Sequence, residues 1–357
     1  MAHPTRTSRT RTRTRRSALL AAAAVAVATA TALAGCSGAS SASSTSGTTS
    51  VKMVLGWYAD PESGGFYAAQ TEGLYKKNGI ELSIQQGGPT VSGTQIVAGG
   101  RADFGVADAP AVAEAQEQGI PIVAIAAMYQ TNPVGVMVHA DSGMNSFADM
   151  KDHTWVVQTG NTGVDYLKKE KGLTFSTQAY QGSIANFIKD GSLVQQGWPT
   201  NEAYQAEKAG VKVKFFSYAS AGYNPYNDVV FTTKKFLKEH PDVVRSYLAA
   251  SMQGWADYMG DVDVATKTND ALKKANPQMS SAAIWYAWDK QREYVVSGDG
   301  KSQLGAMTTD RWTEAVDQLV KLDVLKKSIP AADLFDASYL PKVAAPATMP
   351  AAPSGSY

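Results

Sequence analysis

The sequence predicts an α/β protein with two lobes, a ligand cleft between them and two chain crossings. Strand-like and helix-like runs alternate from Val51 onward, which is typical of βαβ units around a parallel sheet. Roughly 290 residues separate the two terminal low-complexity segments, more than one hydrophobic core usually holds. Two strand-like runs, 134–139 and 228–232, fit the two crossings. The predicted division is lobe one from 51–138 plus 232–341 and lobe two from 139–231.

The first 36 residues read as an export signal rather than as part of the fold. A basic head that includes Arg15 and Arg16 precedes an apolar run and a small-residue end. The arginine pair resembles a twin-arginine signal, and a Sec signal with a basic head remains an alternative. The segment "LAGC" resembles a bacterial lipobox, which predicts acylation (palmitate) at Cys36. The alternative is an ordinary uncleaved membrane anchor.

Low-complexity segments lie on both sides of the predicted lobes. Residues 37–50 are rich in Ser, Thr and Gly, a composition typical of a flexible tether. The end of the chain, 342–357, is rich in Ala and Pro and is predicted to be disordered.

Hydrophobic periodicity and turn residues predict the elements in order. A glycine pair after 154–158 marks a strand-to-helix junction, Ser146 is a plausible helix cap, and Pro241 suits a first helical position. Another strand breaks at Gly197 and continues as a helix from Asn201. The other strands are predicted at 51–55, 81–85, 103–106, 122–127, 134–139, 212–217 and 228–232, and the main helices at 65–78, 93–99, 110–117, 234–239, 241–258, 264–276, 282–294 and 309–322.

Composition excludes several classes of function. The single cysteine leaves no disulfide and no cysteine metal site, and the four histidines lack metal-ligand spacing. A net charge of +1 gives no argument for nucleic-acid binding. No metal and no cofactor are therefore predicted, and after residue 36 no apolar run is long enough to span a bilayer.

Several segments in this order resemble the NMT1-like group of ABC-importer solute-binding proteins. The group includes binding proteins for thiamine pyrimidine precursors and riboflavin, and it is close to the nitrate/sulfonate/taurine group. The resemblance covers most of 51–341 and is carried by "GGFYAAQTEGLYKKNGIELSIQQGGP", "IVAGGRADFGVA", "GIPIVAIAAMYQTNPVGVMV", "GWPTNEAYQAEKAG" and "MTTDRWTEAVDQLVKLDVL".

The resemblance implies a type II periplasmic-binding-protein fold with a small-molecule ligand between its lobes. It also implies an ABC permease and an ATPase as partners, with no role for nucleic acid. Together with the lipobox, it predicts a monomer held by a lipid anchor at the extracytoplasmic face of the bacterial cell membrane.

Five candidate ligand contacts follow the first predicted strand. Trp57 and Tyr58 stand where a strand of an open α/β sheet ends, and an aromatic side chain there can stack on a planar ligand. Asp60 can contact the ligand or cap the next turn. Gly65 lets the backbone approach a ligand at a helix start, and Tyr67 follows one turn later. The alternative for Trp57 is a place in the core.

Two further candidates come from later in the first predicted lobe. Asp108 follows a strand and precedes a helix, where the sulfonate binders usually offer hydroxyl groups. A carboxylate there repels an oxyanion and favours a neutral or amine-bearing ligand, although it can also cap the helix. Gln130 offers paired donors and acceptors to a heterocycle edge, or hydrogen bonds within a hinge loop.

The second predicted lobe and its crossing add five candidates. Asn161 and Thr162 lie at a predicted helix start, and Trp198 can form a stacking wall opposite Trp57. Glu202 can accept hydrogen bonds from an amino-heterocycle or simply begin a helix. Tyr226 belongs to a polar aromatic loop near the second crossing.

The predicted function is ligand capture for an ABC importer, with a thiamine-type aminopyrimidine precursor as first choice. Riboflavin or another flat aromatic is the second choice, and a taurine-like sulfonate is the third. The rival class is an enzyme, because a fungal branch of the group makes the thiamine pyrimidine from pyridoxal phosphate and its own histidine. That branch has a cysteine-rich segment that this chain lacks, so the sequence predicts a protein that is not an enzyme.

Overall fold

Two mixed five-stranded β-sheets organise residues 48–357, the part of the chain that the computed structural model describes. The first sheet has the strand order β2-β1-β3-β10-β4. Numbered in chain order, its strands are β1 (Thr49–Val54), β2 (Ile80–Gln85), β3 (Phe104–Ala107), β4 (Ile122–Tyr129) and β10 (Asn227–Thr233).

The second sheet is formed from the chain between these segments and has the order β7-β6-β8-β5-β9. Its strands are β5 (Gly135–His139), β6 (Thr154–Val157), β7 (Ser176–Ala179), β8 (Val194–Gly197) and β9 (Val213–Ser217). Residues 48–357 belong to one compact unit.

Thirteen α-helices lie in the described part of the chain, and none of them is long and apolar enough to cross a membrane. They are α1 (Gly64–Thr71), α2 (Leu74–Lys77), α3 (Gly93–Ala98), α4 (Ala109–Glu117), α5 (Thr162–Glu170), α6 (Ala185–Lys189), α7 (Glu202–Lys208), α8 (Lys234–Glu239), α9 (Pro241–Gly260), α10 (Val262–Ala275), α11 (Ser281–Val295), α12 (Thr309–Lys321) and α13 (Ala331–Leu334).

The predicted α/β class is confirmed, but the expectation of parallel sheets is wrong. β10 runs antiparallel to β3 and β4, and β5 runs antiparallel to β8 and β9. These two are the strands through which the chain enters each sheet from the other. The remaining pairs, β1 with β2 and β3, and β6 with β7 and β8, are parallel as expected.

The strand pairing differs from the predicted lobe division at both crossings. Residues 135–138, assigned by sequence to lobe one, pair with β8 and β9 of the second sheet. Residues 227–231, assigned to lobe two, pair with β3 and β4 of the first. The chain therefore changes sheet before the predicted strands 134–139 and 228–232 rather than within them.

The two connections between the sheets are hydrogen-bonded to each other. Asn132 donates its backbone N–H to Asn224 Oδ1 at 2.8 Å. Tyr218 donates its backbone N–H to the Val134 carbonyl at 3.1 Å, and Asn227 Nδ2 lies 3.4 Å from Asn132 Oδ1. These bonds fix the edge of the site described below.

The end of the chain packs on the helices, although its composition predicts disorder. Residues 342–357 contain no helix or strand. Arg292 Nη1 donates to the Pro350 carbonyl at 2.7 Å, and Tyr357 Oη donates to Asp289 Oδ2 at 2.9 Å. The Tyr357 ring also meets the edge of Tyr286 of α11 at 5.4 Å between centroids.

Candidate functional site

A cavity of about 330 Å³ lies between the two sheets. Its lining comes from the residues that follow β1, β3, β6 and β8, together with the two connections. Ligands of open α/β proteins bind at the carboxyl ends of parallel strands, and small-molecule sites are of this size. The polar and aromatic lining residues are Trp57, Glu62, Asp108, Asn132, Gln158, Thr159, Asn161, Thr162, Tyr180, Gln196, Trp198, Asn201, Glu202, Tyr218, Tyr223, Asn227 and Asp228.

Four carboxylates gather on the side of the first sheet, and we call them the acidic wall: Asp60, Glu62, Asp108 and Asp228. The last three line the cavity, and Asp60 lies beside it in a small recess that Glu62 and Asp228 also line. Within the described part of the chain, no lysine, arginine or histidine lines the cavity, and none of the four forms a salt bridge. The acidic wall therefore has no cationic partner among the described residues.

Burial raises the pKa of every carboxyl in the acidic wall, and neighbouring acidic charges raise three of the four further. Burial, followed by the Glu202 charge, raises the pKa of Asp60 from 3.8 to about 7. Burial first, and then the neighbouring acidic charges, hold the pKa values of Glu62 and Asp228 well above their usual range. Burial also raises the pKa of Asp108. A bound cation would stabilise the ionised forms of these groups.

The hydrogen bonds of the acidic wall divide it into two pairs. Asp60 Oδ1 accepts from the Glu62 N–H at 3.0 Å, and Asp108 Oδ1 accepts from the Ala111 N–H at 2.8 Å. Both carboxylates therefore cap a helical turn, which the sequence offered as the alternative to ligand contact for each of them. Glu62 and Asp228 accept no side-chain hydrogen bond from any residue in 48–357. Asp228 also has a φ of 46°, in the left-handed region that non-glycine residues rarely adopt.

The side of the second sheet carries amides and hydroxyls, and we call it the amide wall: Gln158, Asn161, Thr162, Gln196 and Tyr223. Gln196 Oε1 accepts from the Gln158 N–H at 2.8 Å and from Asn161 Nδ2 at 2.7 Å. Tyr223 Oη donates to Thr162 Oγ1 at 2.7 Å. Asn161 also caps α5 through the Val164 N–H. This wall is held in place by its own hydrogen bonds.

Two half-buried tryptophans line the same cavity, one from each sheet. The Trp57 ring meets Tyr58 edge to face at 5.4 Å between centroids, and the Trp198 ring meets Tyr129 in the same way at 5.4 Å. Tyr58 is itself 46% exposed and lines the recess rather than the main cavity. The cavity thus offers two flat aromatic surfaces to a ligand.

Glu202 lines the cavity, but internal donors already occupy its carboxylate. Oε2 accepts from the Trp198 N–H at 2.8 Å, while Oε1 accepts from Tyr180 Oη at 2.8 Å and from Asn201 Nδ2 at 3.2 Å. A Cβ added at Gly197 would lie 2.6 Å from the Glu202 Cβ, so the turn needs glycine there. Glu202 therefore holds the turn that positions Trp198.

Six residues singled out from the sequence lie on the cavity: Trp57, Asp108, Asn161, Thr162, Trp198 and Glu202. Tyr58 and Asp60 lie at the recess. Cys36 falls outside the described residues, so acylation stays a prediction.

Four other candidates lie away from the cavity. A Cβ at Gly65 would meet the Trp255 ring at 2.1 Å, so Gly65 allows α1 to pack on α9. Tyr67 is buried in the hydrophobic core.

The remaining two candidates, Gln130 and Tyr226, form contacts with residues far along the chain. Gln130 Nε2 donates to the carbonyls of Ala127 and Ala306, each at 2.9 Å. Tyr226 Oη accepts from the Thr308 N–H at 3.0 Å, and the Arg311 guanidinium lies 3.8 Å from its ring centroid. Both residues are therefore committed to contacts other than the cavity.

The sequence interpretation missed Glu62, Gln158, Gln196 and Asp228. Glu62 belongs to the turn "DPESGG", which the sequence presents as a simple helix entry. Gln158 and Gln196 end predicted strands. The strand-end rule, that side chains at the carboxyl end of a strand contact the ligand, selected Trp57 and would have found both. Asp228 begins a strand and was outside that rule.

Comparison with known proteins identifies both relatives and structural neighbours. The family model described as "NMT1/THI5 like" matches residues 60–265, more than half of the chain. The 4-amino-5-hydroxymethyl-2-methylpyrimidine phosphate synthase of Legionella pneumophila is 24% identical over 238 residues, which cover 64% of this chain and 74% of that protein. The synthase THI12 of Saccharomyces cerevisiae is 21% identical over 294 residues, 72% of this chain and 82% of that protein.

Several solved structures that resemble this chain are periplasmic binding proteins, and another is the desulfurization enzyme DSZB, which matches with a TM-score of 0.56 and 11% identity over 81% of this chain and 97% of that protein. The aliphatic sulphonate binding protein SsuA of Escherichia coli matches with a TM-score of 0.59 and 15% identity, over 79% of this chain and 96% of that protein. The nitrate-binding protein NrtA of Synechocystis PCC 6803 matches with a TM-score of 0.58 and 10% identity, over 82% of this chain and 87% of that protein. These likenesses establish the fold.

The relatives overturn one prediction from the sequence. The chain was predicted not to be an enzyme because it lacks the cysteine-rich segment of the fungal branch. Yet curated relatives that it matches at low identity, bacterial and fungal, are named as a pyrimidine phosphate synthase, which is an enzyme.

The family match spans both crossings and the cavity-lining residues from Glu62 to Asp228. The two mixed sheets agree with the fold of the structural neighbours. The chain therefore has the periplasmic-binding-protein fold and belongs to the NMT1/THI5-like family.

Proposed function

We propose that this protein binds a small, planar, amine-bearing heterocycle in the cavity between its two sheets. The observation that carries the proposal is the acidic wall, which has no basic partner and stands in a cavity lined by Trp57 and Trp198. Stacking on the tryptophans suits a flat ring, and the carboxylates suit amino groups that donate to them. A thiamine-type aminopyrimidine precursor has both features and is our first choice.

The charge of the cavity argues against the other ligands considered from the sequence. Sulfonates and nitrate are anions, and the acidic wall would repel them because no described cation lies beside it. Riboflavin and other flat aromatics can stack on the tryptophans but would donate hydrogen bonds to fewer of the carboxylates. They remain the runner-up ligands.

The proposed biological role is capture of this ligand for an ABC importer with a permease and an ATPase as partners. Its support is the fold shared with periplasmic binding proteins, together with the lipobox and the Ser/Thr/Gly tether in the sequence. The protein would work as a monomer on the outer face of the cell membrane, anchored through Cys36.

The anchor has a direct test, because Cys36 is the only cysteine in the chain. Cys36→Ala should move the protein from the washed membrane fraction to the soluble fraction. The melting temperature of the body should stay unchanged. Continued membrane association of the variant would contradict the lipid anchor.

Synthesis of a pyrimidine phosphate is the second candidate function. The observation that favours it is the name of the relatives, which match this chain over 64% and 72% of its length. Incubation of the purified protein with pyridoxal phosphate, followed by mass spectrometry for the named pyrimidine phosphate, tests it. Formation of that product above the level in heat-denatured protein would support synthesis.

Binding is tested by identifying what the protein retains. Native mass spectrometry of the purified protein should detect a small heterocycle. A thermal-shift panel of pyrimidines, flavins, amines and sulfonates should show the largest stabilisation with an aminopyrimidine, since a ligand stabilises the state that binds it. Stabilisation by sulfonates alone would contradict the proposal.

A further inference from the structure

Helix α12 joins the two halves of the molecule firmly. We call the first sheet with α1–α4 and α8–α13 the first lobe, and the second sheet with α5–α7 the second lobe. Leu322, which directly follows α12, is only 4% exposed and packs in the hydrophobic core of the second lobe. Lys169 of α5 donates to the Leu322 carbonyl at 2.7 Å and forms an ion pair with Asp323. A buried side chain and a charged hydrogen bond therefore attach the lobes on this side.

Helix α11 meets the second lobe through stacked aromatic rings. The Tyr286 ring of α11 stacks on the Tyr204 ring of α7, with 4.3 Å between centroids and 24° between planes. Within the described residues, no hydrogen bond or ion pair links α7 to α11. The two rings can therefore separate without leaving a charge or a hydrogen-bonding group unpaired, while α12 stays attached.

Helix α11 also connects this contact to the cavity. Gln291 of α11 accepts a hydrogen bond from Tyr129 Oη at 2.7 Å, and the Tyr129 ring meets Trp198 edge to face. The same helix contacts the turn Pro61–Ser63, which carries Glu62 of the acidic wall. Separation of α7 from α11 would therefore move the Trp198 side of the cavity away from the acidic wall.

The end of the chain, 342–357, lies across the first lobe, and we call it the C-terminal strap. A Cβ added at Gly260, the last residue of α9, would lie 2.8 Å from the Pro346 Cβ, so the strap passes close to the end of that helix. Farther along, Arg292 of α11 donates to the Pro350 carbonyl at 2.7 Å. These contacts direct the strap from the end of α9 onto α11.

The strap reaches the aromatic contact between the lobes. Tyr357 Oη donates to Asp289 Oδ2 at 2.9 Å, and Asp289 also pairs with Arg292 of the same helix. The Tyr357 ring meets the Tyr286 ring edge to face, with 5.4 Å between centroids. Tyr286 therefore contacts both Tyr204 of the second lobe and Tyr357 of the strap. A side chain that is held by two rings has less rotamer freedom to lose when it stacks.

We propose that Tyr204 and Tyr286 form a latch that holds the lobes together over the cavity, and that the C-terminal strap secures this latch through Tyr357. The empty protein then exchanges between a latched state, which this structure shows, and an open state in which α12 and the two connections still join the lobes. The latch governs how easily a ligand enters and leaves. The inference goes beyond the proposed function, because it concerns the opening of the cavity whatever ligand occupies it.

The distance between two spin labels measures the latch without any ligand. Lys189→Cys of α6 and Lys274→Cys of α10 place one label at an exposed position of each lobe. The full chain also carries Cys36→Ala, so that no other thiol is labelled. Double electron–electron resonance on the dialysed protein should give a shorter distance for the latched state and a longer distance for the open state.

Loss of the latch ring should shift the populations toward the open state. Tyr286→Ala should lower the ratio of latched to open molecules by roughly twofold to tenfold, the contribution of one aromatic pair. Tyr286→Phe keeps the stacked ring and should retain the wild-type ratio. Tyr357→Ala removes the contact of the strap but not the stack, so it should lower the ratio by about twofold.

A stacked pair inside one lobe supplies the matched control. The half-buried Phe175 ring stacks on Trp155 within the second lobe, with 4.0 Å between centroids. Phe175→Ala removes a ring of the same kind and should leave the ratio of latched to open molecules unchanged. Circular dichroism checks that each variant is folded. Tyr286→Leu, which keeps apolar volume without the ring, gives the same test if the alanine variant unfolds.

Equal ratios in Tyr286→Ala and the wild type would overturn the latch, as would an equal shift in Phe175→Ala. An unchanged ratio in Tyr357→Ala would overturn the part assigned to the strap. No ligand is present in these measurements, so their failure leaves the proposed pyrimidine binding untouched, and failure of pyrimidine binding leaves the latch intact.

Discussion

The amide wall and the acidic wall face one cavity but differ in how far their polar groups satisfy one another. In the amide wall, Gln196 accepts two hydrogen bonds and Tyr223 donates to Thr162. In the acidic wall, Glu62 and Asp228 accept none from the described residues, and their like charges repel. The polar groups of the amide wall are hydrogen-bonded without a ligand, whereas two carboxylates of the acidic wall are not.

This difference assigns different tasks to the two sheets. Groups that are already hydrogen-bonded keep a fixed position and present a preformed surface, which lowers the cost of ordering on binding. Groups that lack partners are costly to keep in the empty protein and gain most from a ligand. Substitutions in the two walls should therefore change the stability of the empty protein in opposite directions.

The largest effect is expected at Asp60. Its pKa is raised in the folded state, so the stability that it contributes is present at low pH and is lost as the pH rises through about 7. Asp60→Asn keeps the oxygen that accepts from the Glu62 N–H. It should raise the free energy of unfolding at pH 8 by about 4 kcal/mol, because the pKa rises from 3.8 to about 7 and each pKa unit corresponds to about 1.4 kcal/mol.

Urea unfolding at pH 5 and pH 8 measures this effect. The wild-type protein should lose stability between the two values, and the variant should lose less. Asp270→Asn, at an exposed position of α10, is the control and should follow the wild type. Identical pH dependence in Asp60→Asn and wild type would contradict the raised pKa of Asp60, whose main cause is burial.

Truncation in the amide wall should have the opposite sign. Gln196→Ala removes the acceptor of the Gln158 N–H and of Asn161 Nδ2, so it should lower the free energy of unfolding by about 2 kcal/mol. Urea unfolding compares it with Gln178→Ala, at an exposed position of β7. An unchanged Gln196→Ala protein would show that this wall is not held by its own bonds.

Substitution of Trp57 or Trp198 should affect ligand affinity and the stability of the empty protein to different extents. Either Trp→Ala change should weaken pyrimidine binding by about 1–3 kcal/mol, roughly tenfold to a hundredfold. Trp198 packs on Tyr129 and against the core of the first sheet, whereas Trp57 meets the exposed Tyr58. Trp57→Ala should therefore leave the melting temperature of the empty protein nearly unchanged, and Trp198→Ala should lower it.

Trp312→Ala supplies the reference for an ordinary core tryptophan, because that side chain is fully buried. Its removal should cost about 3–5 kcal/mol of stability. A loss of that size in Trp57→Ala, with binding intact in the folded fraction, would mean that Trp57 is a core residue.

The smallest expected effect is a change of overall size. A ligand that completes the acidic wall should draw the two sheets together through the two connections. Small-angle scattering with and without a saturating aminopyrimidine should show a slightly lower radius of gyration. An unchanged radius would indicate that the empty protein is already closed.

The strand-end rule explains which parts of the site the sequence predicts. Trp57, Asp108 and Trp198 follow parallel strands, so local pattern is enough to place them at the cavity. Asp228 is the second residue of β10, which runs antiparallel to β3 with Val229 opposite Ala107. Its start therefore lies at the same edge as the end of β3, and only the pairing of distant strands reveals this.

The predictions that fail at Gly65 and Tyr226 depend on long-range packing. Gly65 meets Trp255, which lies far along the chain in α9, and Tyr226 meets Arg311 and Thr308. A glycine at a helix start or a tyrosine in a polar loop has the same local pattern in either role. The sequence predicts the type of fold and the edge of the sheets, but the tertiary contacts decide which side chains reach the cavity.

A crystal structure of the protein with 4-amino-5-hydroxymethyl-2-methylpyrimidine tests the central claim most directly. The account predicts the ring inside the cavity against Trp57 and Trp198, with its amino group about 3 Å from a carboxylate oxygen of the acidic wall. A ring bound outside the cavity, or an amino group turned toward the amide wall, would contradict it.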